Sequence, residues 1–102
     1  MAPEKIHDDH IQELADIFRL LGDANRLKVI MTCRDESVAV GDIVKKTGLS
    51  QPLVSHHLRL LKAARLLLSE KQGKQVFYML LDDHVKCVIE DMLTHINEPK
   101  EE

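Results

Sequence analysis

The sequence predicts a mainly α-helical chain with one small β-hairpin, arranged as a winged helix-turn-helix. Three observations carry that prediction. Apolar residues recur at the spacing of one helix face in five separate stretches. Two of those stretches are joined by the tight turn Gly48-Leu49-Ser50, and Ser50-Gln51-Pro52 reads as an N-cap with a proline in the first turn, where a missing N–H costs nothing. Further on, two short apolar runs flank the basic, glycine-bearing tip Glu70-Lys71-Gln72-Gly73-Lys74, the pattern of a hairpin. With 102 residues, one Tyr, two Phe and no Trp, the chain suits a single domain (residues 1–102) whose core is built from Leu, Ile, Val and Met.

Each element follows from its own residues. The first helix, 9–21, carries the stripe Ile11, Leu14, Ala15, Ile17, Phe18 and Leu21, and Gly22 ends it. Asp23 caps the second helix, which runs from Ala24 to about Arg34 with Leu27, Ile30 and Met31 on one face. Asp35-Glu36-Ser37 reads as a loop. A short third helix with Ile43 and Val44 closes at Gly48, and the fourth, Gln51 to about Ala64, turns Leu53, Val54, Leu58 and Leu61 inward. Residues 41–64 thus form the helix-turn-helix. The wing spans 66–80, with apolar runs at Leu66–Ser69 and Gln75–Leu80, and a last helix over 82–97 carries Val85, Val88, Ile89, Met92, Leu93 and Ile96. The tail from Glu98 to Glu102 is expected to fray.

Net charge is −3, which argues against nucleic acid until it is resolved along the chain. Between Gln51 and Tyr78, Arg59, Lys62, Arg65, Lys71 and Lys74 stand against Glu70 alone, a local +4 with His56 and His57 besides, and the remainder carries −7. Phosphate neutralisation is local, so a basic segment in an acidic body is the footprint of a DNA-binding protein. In a helix-turn-helix the second helix enters the major groove by its N-terminal residues. Gln51, Pro52, Ser55, His56 and Arg59 face outward there, and Gln, Ser and Arg can read base edges or take a phosphate. Lys71, Lys74 and Gln75 at the wing tip would grip the backbone or minor groove of the same site.

Three segments in this order resemble the ArsR/SmtB family of bacterial metal- and redox-sensing repressors. They are Leu20-Leu21-Gly22-Asp23-Ala24-Asn25-Arg26-Leu27, Leu49-Ser50-Gln51-Pro52-Leu53-Val54-Ser55-His56-His57-Leu58-Arg59-Leu60-Leu61, and Lys71-Gln72-Gly73-Lys74-Gln75-Val76-Phe77-Tyr78. The similarity extends from Leu14 to His95. It implies a homodimer joined through its first and last helices, 9–21 and 82–97, a palindromic double-stranded operator, and an inducer that lowers DNA affinity.

The last helix carries metal-ligand chemistry at both ends. Asp82 and His84 start it, and His95 and Glu98 end it. His84 and His95 share a face but lie roughly 16 Å apart along the axis, so one helix cannot bring them to one ion. Two antiparallel copies can, placing Asp82 and His84 of one chain beside His95 and Glu98 of the other in two symmetric sites. Two imidazoles and two carboxylates suit tetrahedral Zn2+, and this Asp-x-His…His-x-x-Glu pattern resembles the family's zinc-sensing site. Co2+ or Ni2+ are the alternatives, with His7 and His10 as candidate additional ligands. The family's other site uses cysteines at the start of the helix-turn-helix, where this chain has Ser37-Val38-Ala39-Val40-Gly41-Asp42 and no thiol. Soft-ion sensing is therefore not expected there.

A thiol-based redox or reactive-sulfur sensor on the same scaffold, using Cys87 or Cys33, is the competing reading. Of the two, Cys33 reads as a small packing residue. No nucleophile–base pair stands on a pocket-forming element, and a closed four-ligand metal set leaves no open position for substrate, so an enzyme is not expected. The polar N-terminus MAPEKIHDDH resembles no signal peptide, no stretch approaches the roughly 20 apolar residues of a membrane span, and two cysteines make no disulfide framework. A cytoplasmic location is expected.

Overall fold

Five helices and a three-stranded antiparallel sheet make up the computed structural model, which describes residues 6–99. In chain order these are α1 (Asp8–Leu21), α2 (Ala24–Thr32), β1 (Val38–Ala39), α3 (Val40–Thr47), α4 (Gln51–Ala63), β2 (Leu67–Gln72), β3 (Gln75–Leu80) and α5 (Asp83–Asn97). Every helix expected from the periodicity is present, within two residues at each end. The last residues of the tail expected to fray, 100–102, lie outside the described residues.

Caps set most of the boundaries. The Asp23 carboxylate accepts from the backbone N–H groups of Asn25 and Arg26 and so satisfies two orphan donors of α2. Gly48 closes α3 at φ +74°, its N–H donating to the Val44 carbonyl at 2.9 Å, and Ser50 Oγ accepts from Leu53 N to open α4. Thr47 braces this turn, its hydroxyl donating to the Ile43 carbonyl at 2.7 Å and accepting from Leu49 N. α4 ends without glycine. Arg65 takes the left-handed conformation (φ +63°), and the Leu66 N–H reaches back to the Leu61 carbonyl at 2.9 Å, which turns the chain into the wing.

The wing differs from expectation in two respects. Its strands run further toward the tip, so that Gln72 pairs with Gln75 across the two-residue turn Gly73-Lys74, where the sequence pattern suggested a five-residue loop. Gly73 supplies the positive φ (+65°) that such a hairpin turn needs. The hairpin also has a third partner. Val38 and Ala39 pair with Tyr78 and Phe77, giving strand order β1-β3-β2. Two residues are too few to show strand alternation, which is why β1 is invisible in the sequence.

The core lies between α2, α3, α4 and the sheet, with Ile30, Ile43, Leu58, Leu61, Leu67, Val29, Val54 and Cys33 fully buried. α1 and α5 contribute no fully buried residue. They lean on the core through Ile17, Leu20, Leu21, Val85 and Ile89. Their other apolar residues stand in solvent, Phe18 at 53%, Met92 at 55% and Ile96 at 69% exposure. A groove of about 770 Å³ runs along this side between α1, α2 and α5, lined by Phe18, Leu27, Met31, Val88, Met92 and Ile96 among others.

Candidate DNA interface and sensor helix

The helix-turn-helix presents the expected residues at the start of α4. Val54, Leu58 and Leu61 are buried and Leu53 is half-buried, which turns Gln51, Pro52, His56 and Arg59 to solvent with Ser55 half-exposed beside them. No acidic residue stands in the first turn of α4, so its positive dipole end is left free for an anion. At the wing tip Lys71, Lys74 and Gln75 are exposed around the Gly73 turn. The hairpin carries these cations at the end of a two-stranded ribbon.

One residue of the basic segment does not belong to this surface. His57, counted among the groups around the local positive charge, is 97% buried. Its Nδ1 accepts a hydrogen bond from Arg26 Nε at 3.3 Å, and its Nε2 has no partner among the described residues. Burial first, and then the Arg26 guanidinium, hold its pKa below the usual imidazole value. His57 is therefore a neutral packing residue and adds nothing to the cationic face. The sequence signal was its spacing, since it lies three residues after Val54 and next to Leu58 on the inner stripe of α4. Arg26 was missed as well, because a charged residue in the first turn of a helix reads as surface.

The four candidate metal ligands lie at the two ends of α5, and all are exposed. Asp82 is the N-cap. Its Oδ1 accepts from the His84 and Val85 N–H groups at 3.0 and 3.4 Å, which fixes the carboxylate next to His84 and leaves Oδ2 without a partner among the described residues. Glu98 is the C-cap, one turn beyond His95. Among the described residues, no three His, Cys, Asp or Glu side chains of one protomer come together as a metal site. His7 and His10 face each other edge-on, ring centroids 5.4 Å apart, just before and within the first turn of α1.

The two thiols differ sharply. Cys33 is 1% exposed within the core, and desolvation pushes its pKa up to about 12, so it carries no thiolate at neutral pH. Cys87 is exposed on α5. The start of α5 is tied to the loop after α2 by Lys86, whose Nζ lies 3.5 Å from Asp35, while Arg34 holds the other oxygen of that carboxylate. No helix among the described residues is long and apolar enough to cross a membrane.

Comparison with known proteins agrees with this geometry. Residues 23–69 match the family described as bacterial regulatory protein, arsR family. Over 89 residues the chain is 33% identical to the HTH-type transcriptional regulator KmtR of Mycobacterium tuberculosis, a match covering 87% of this chain and 68% of that protein. It is 31% identical over 96 residues to a transcriptional repressor SmtB homolog of Synechocystis, covering 94% and 73%. In fold it resembles the homodimeric winged helix-turn-helix DNA-binding domain of a Mycobacterium bovis protein, with a TM-score of 0.82 at 20% identity over 99% of this chain and 94% of that one. Helix-turn-helix, wing and relatives lead to one assignment: this chain belongs to the ArsR/SmtB family of transcriptional regulators, and it is a regulator, not an enzyme.

Proposed function

We propose that the protein is a homodimeric repressor that binds its operator in the metal-free state and releases it when Zn2+, or alternatively Co2+ or Ni2+, binds at the dimer interface. In this reading α1 and α5 form the interface, α3 and α4 with the wing hold DNA, and the chain works in the cytoplasm. Asp82 and His84 would hold the ion together with His95 and Glu98 of the second copy. The ion supplies charge neutralisation and a cross-link between two copies of α5.

The observation that carries the reading is the pairing of two features on α5. The helix bears donors at both ends, and the apolar stripe between them, Val88, Met92 and Ile96, is 43%, 55% and 69% exposed. An unpartnered apolar face with imidazole and carboxylate groups at its two ends is what two antiparallel copies would share. The chain also provides the anion-seeking half. Gln51, Pro52, Ser55, His56 and Arg59 would enter the major groove, while Lys71, Lys74 and Gln75 would contact backbone or minor groove.

The test is a titration on duplex DNA enriched from random sequence by the metal-free protein. Zn2+ at one ion per protomer is expected to lower affinity at least tenfold in wild type and to leave His95→Ala unchanged. A response that survives in His95→Ala would overturn the site, and no response in wild type would overturn metal sensing. Loss of binding on oxidation that Cys87→Ser abolishes would establish the thiol reading instead. Cys33, buried and protonated, is poorly placed for that role.

A further inference from the structure

Arg26 and His57 play no part in the function proposed above, yet their contact joins α2 to α4 from positions 31 residues apart. The Arg26 guanidinium serves three elements at once. Its Nε–H donates to His57 Nδ1 at 3.3 Å, its Nη1 donates to the Leu20 carbonyl in the last turn of α1 at 3.1 Å, and its Nη2 lies 4.0 Å from the Asp23 carboxylate that caps α2. The Leu20 carbonyl is one of the orphan acceptors at a helix C-terminus, so the arginine completes α1 while gripping α4. A planar fork with fixed donor directions transmits the relative placement of these helices better than a flexible ammonium could.

We infer that Arg26 is a positioning residue for DNA recognition, holding the recognition helix α4 against the α1–α2 corner through a hydrogen bond to neutral His57, and that protonation of His57 releases this hold. The inference rests on the proposed reading in which α4 enters the major groove. His57 lies between His56 and Arg59 of the groove-facing set, so any tilt of α4 that follows loss of the contact displaces those side chains together.

The chemistry of the ring supports the assignment. Because Nδ1 accepts from Arg26, the neutral imidazole must carry its proton on Nε2, and that N–H is buried without a partner. An apolar residue would fill the same space without leaving a buried donor unsatisfied, so what the imidazole adds here is the Nδ1 acceptor. A second proton would have to sit on Nδ1, setting donor against donor and cation against cation. The groups around the ring are Arg26 and Asp23 from α2 and His56 from α4 itself, and among them Asp23 alone favours the charged form.

The experiment uses the full chain and duplex DNA enriched from random sequence by wild type. At pH 7.5 Arg26→Gln and His57→Leu are each expected to lower affinity about tenfold, and the double variant no further, because both remove one contact. As pH falls from 7.5 to 5.5, wild-type affinity should decline relative to that of His57→Leu, a comparison in which exposed His56 contributes to both proteins. Nitrogen-15 NMR of wild type should show His57 with its proton on Nε2 and a pKa below the usual imidazole value. Additive losses in the double variant, a pH-independent ratio, or a proton on Nδ1 would each overturn the proposal. If Arg26→Gln does not fold, the pH ratio and the tautomer decide. Enrichment of no duplex by wild type would remove the DNA reading together with this one. That outcome is distinct from a wild type that binds while its variants bind equally well.

Discussion

Truncation of Phe18 to alanine tests whether the exposed faces of α1 and α5 are covered by a second copy. Phe18 is 53% exposed in the single protomer. For an aromatic side chain of roughly 200 Å², about 100 Å² is then left for a partner to cover. At about 25 cal/mol per Å² that area is worth roughly 2.5 kcal/mol per copy, and a symmetric dimer contains it twice. Phe18→Ala should therefore weaken dimerisation by about 5 kcal/mol, between three and four orders of magnitude in dissociation constant. Sedimentation equilibrium over a dilution series measures this directly. The half of Phe18 already packed in the protomer gives a separate loss of fold stability, read from thermal unfolding of the diluted monomer. Met79→Ala is the control. Met79 is an exposed methionine on the wing strand β3, 37% accessible, and its truncation should leave the dimer constant unchanged. An unchanged dimer constant for Phe18→Ala, or an equal loss for Met79→Ala, would refute the placement of the interface.

Four further outcomes follow from particular residues. Removing Lys74 at the wing tip should weaken binding to all duplexes alike and lower the slope of log affinity against log salt by about 1, as loss of one phosphate contact does. With a thiol-reactive disulfide reagent, Cys87 should react at once and Cys33 only after unfolding, since Cys33 is 1% exposed with its pKa pushed up to about 12. Gly48→Ala should cost at least about 1 kcal/mol in urea unfolding, because the open space around Gly48 does not relieve the strain of an L side chain at φ +74°. Asp23→Ala should lower the melting temperature at neutral pH by removing the α2 cap. The backbone N–H of Arg26 contributes most to holding the Asp23 pKa below its usual value. The native state therefore favours the charged form, and this contribution is full above the ordinary carboxylate range and fades as pH falls through it. The two melting curves should draw together as pH falls below the ordinary carboxylate range, and a difference that does not shrink on acidification would refute the role of the charged cap.

How much of this was legible in the sequence depends on how local each cause is. Helix periodicity, the Ser50 cap and the Gly48 stop are encoded within a few residues, and the two helices they predict are present as α3 and α4. The strand β1 was not legible, because Val38 and Ala39 become a strand only when β3 lies beside them. The wing turn was read too wide because Glu70, Lys71 and Gln72 are polar, and polarity on a solvent-exposed ribbon carries no apolar alternation to count. His57 shows the same limit from the other side: its side chain is polar in composition and apolar in placement, and Arg26, which fixes it, is distant in sequence. The four candidate ligands on α5 were legible as a spacing alone. The site proposed for them is shared between copies, so one protomer would show no cluster of them.

The fold itself suggests why a ligand on α5 could alter DNA binding. The helix-turn-helix is held by fully buried side chains, Ile43, Val54, Leu58 and Leu61, each expensive to displace. α5 has none, and it rests on half-buried Val85 and Ile89 and on the partly exposed Lys86–Asp35 pair. Surface ion pairs of that kind contribute no more than about 1 kcal/mol. A hundredfold change in operator affinity requires a coupling free energy of only about 2.7 kcal/mol. In the proposed reading, an ion bridging two copies of α5 would supply that difference by moving loosely docked helices against each other. It could not do so by deforming the core that shapes α4. In the proposed switch, then, each recognition helix stays intact and the spacing between the two changes. The Arg26 contact fits this division, because it ties α4 to the end of α1, so that a shift at the interface reaches the groove-facing residues as a rigid-body movement.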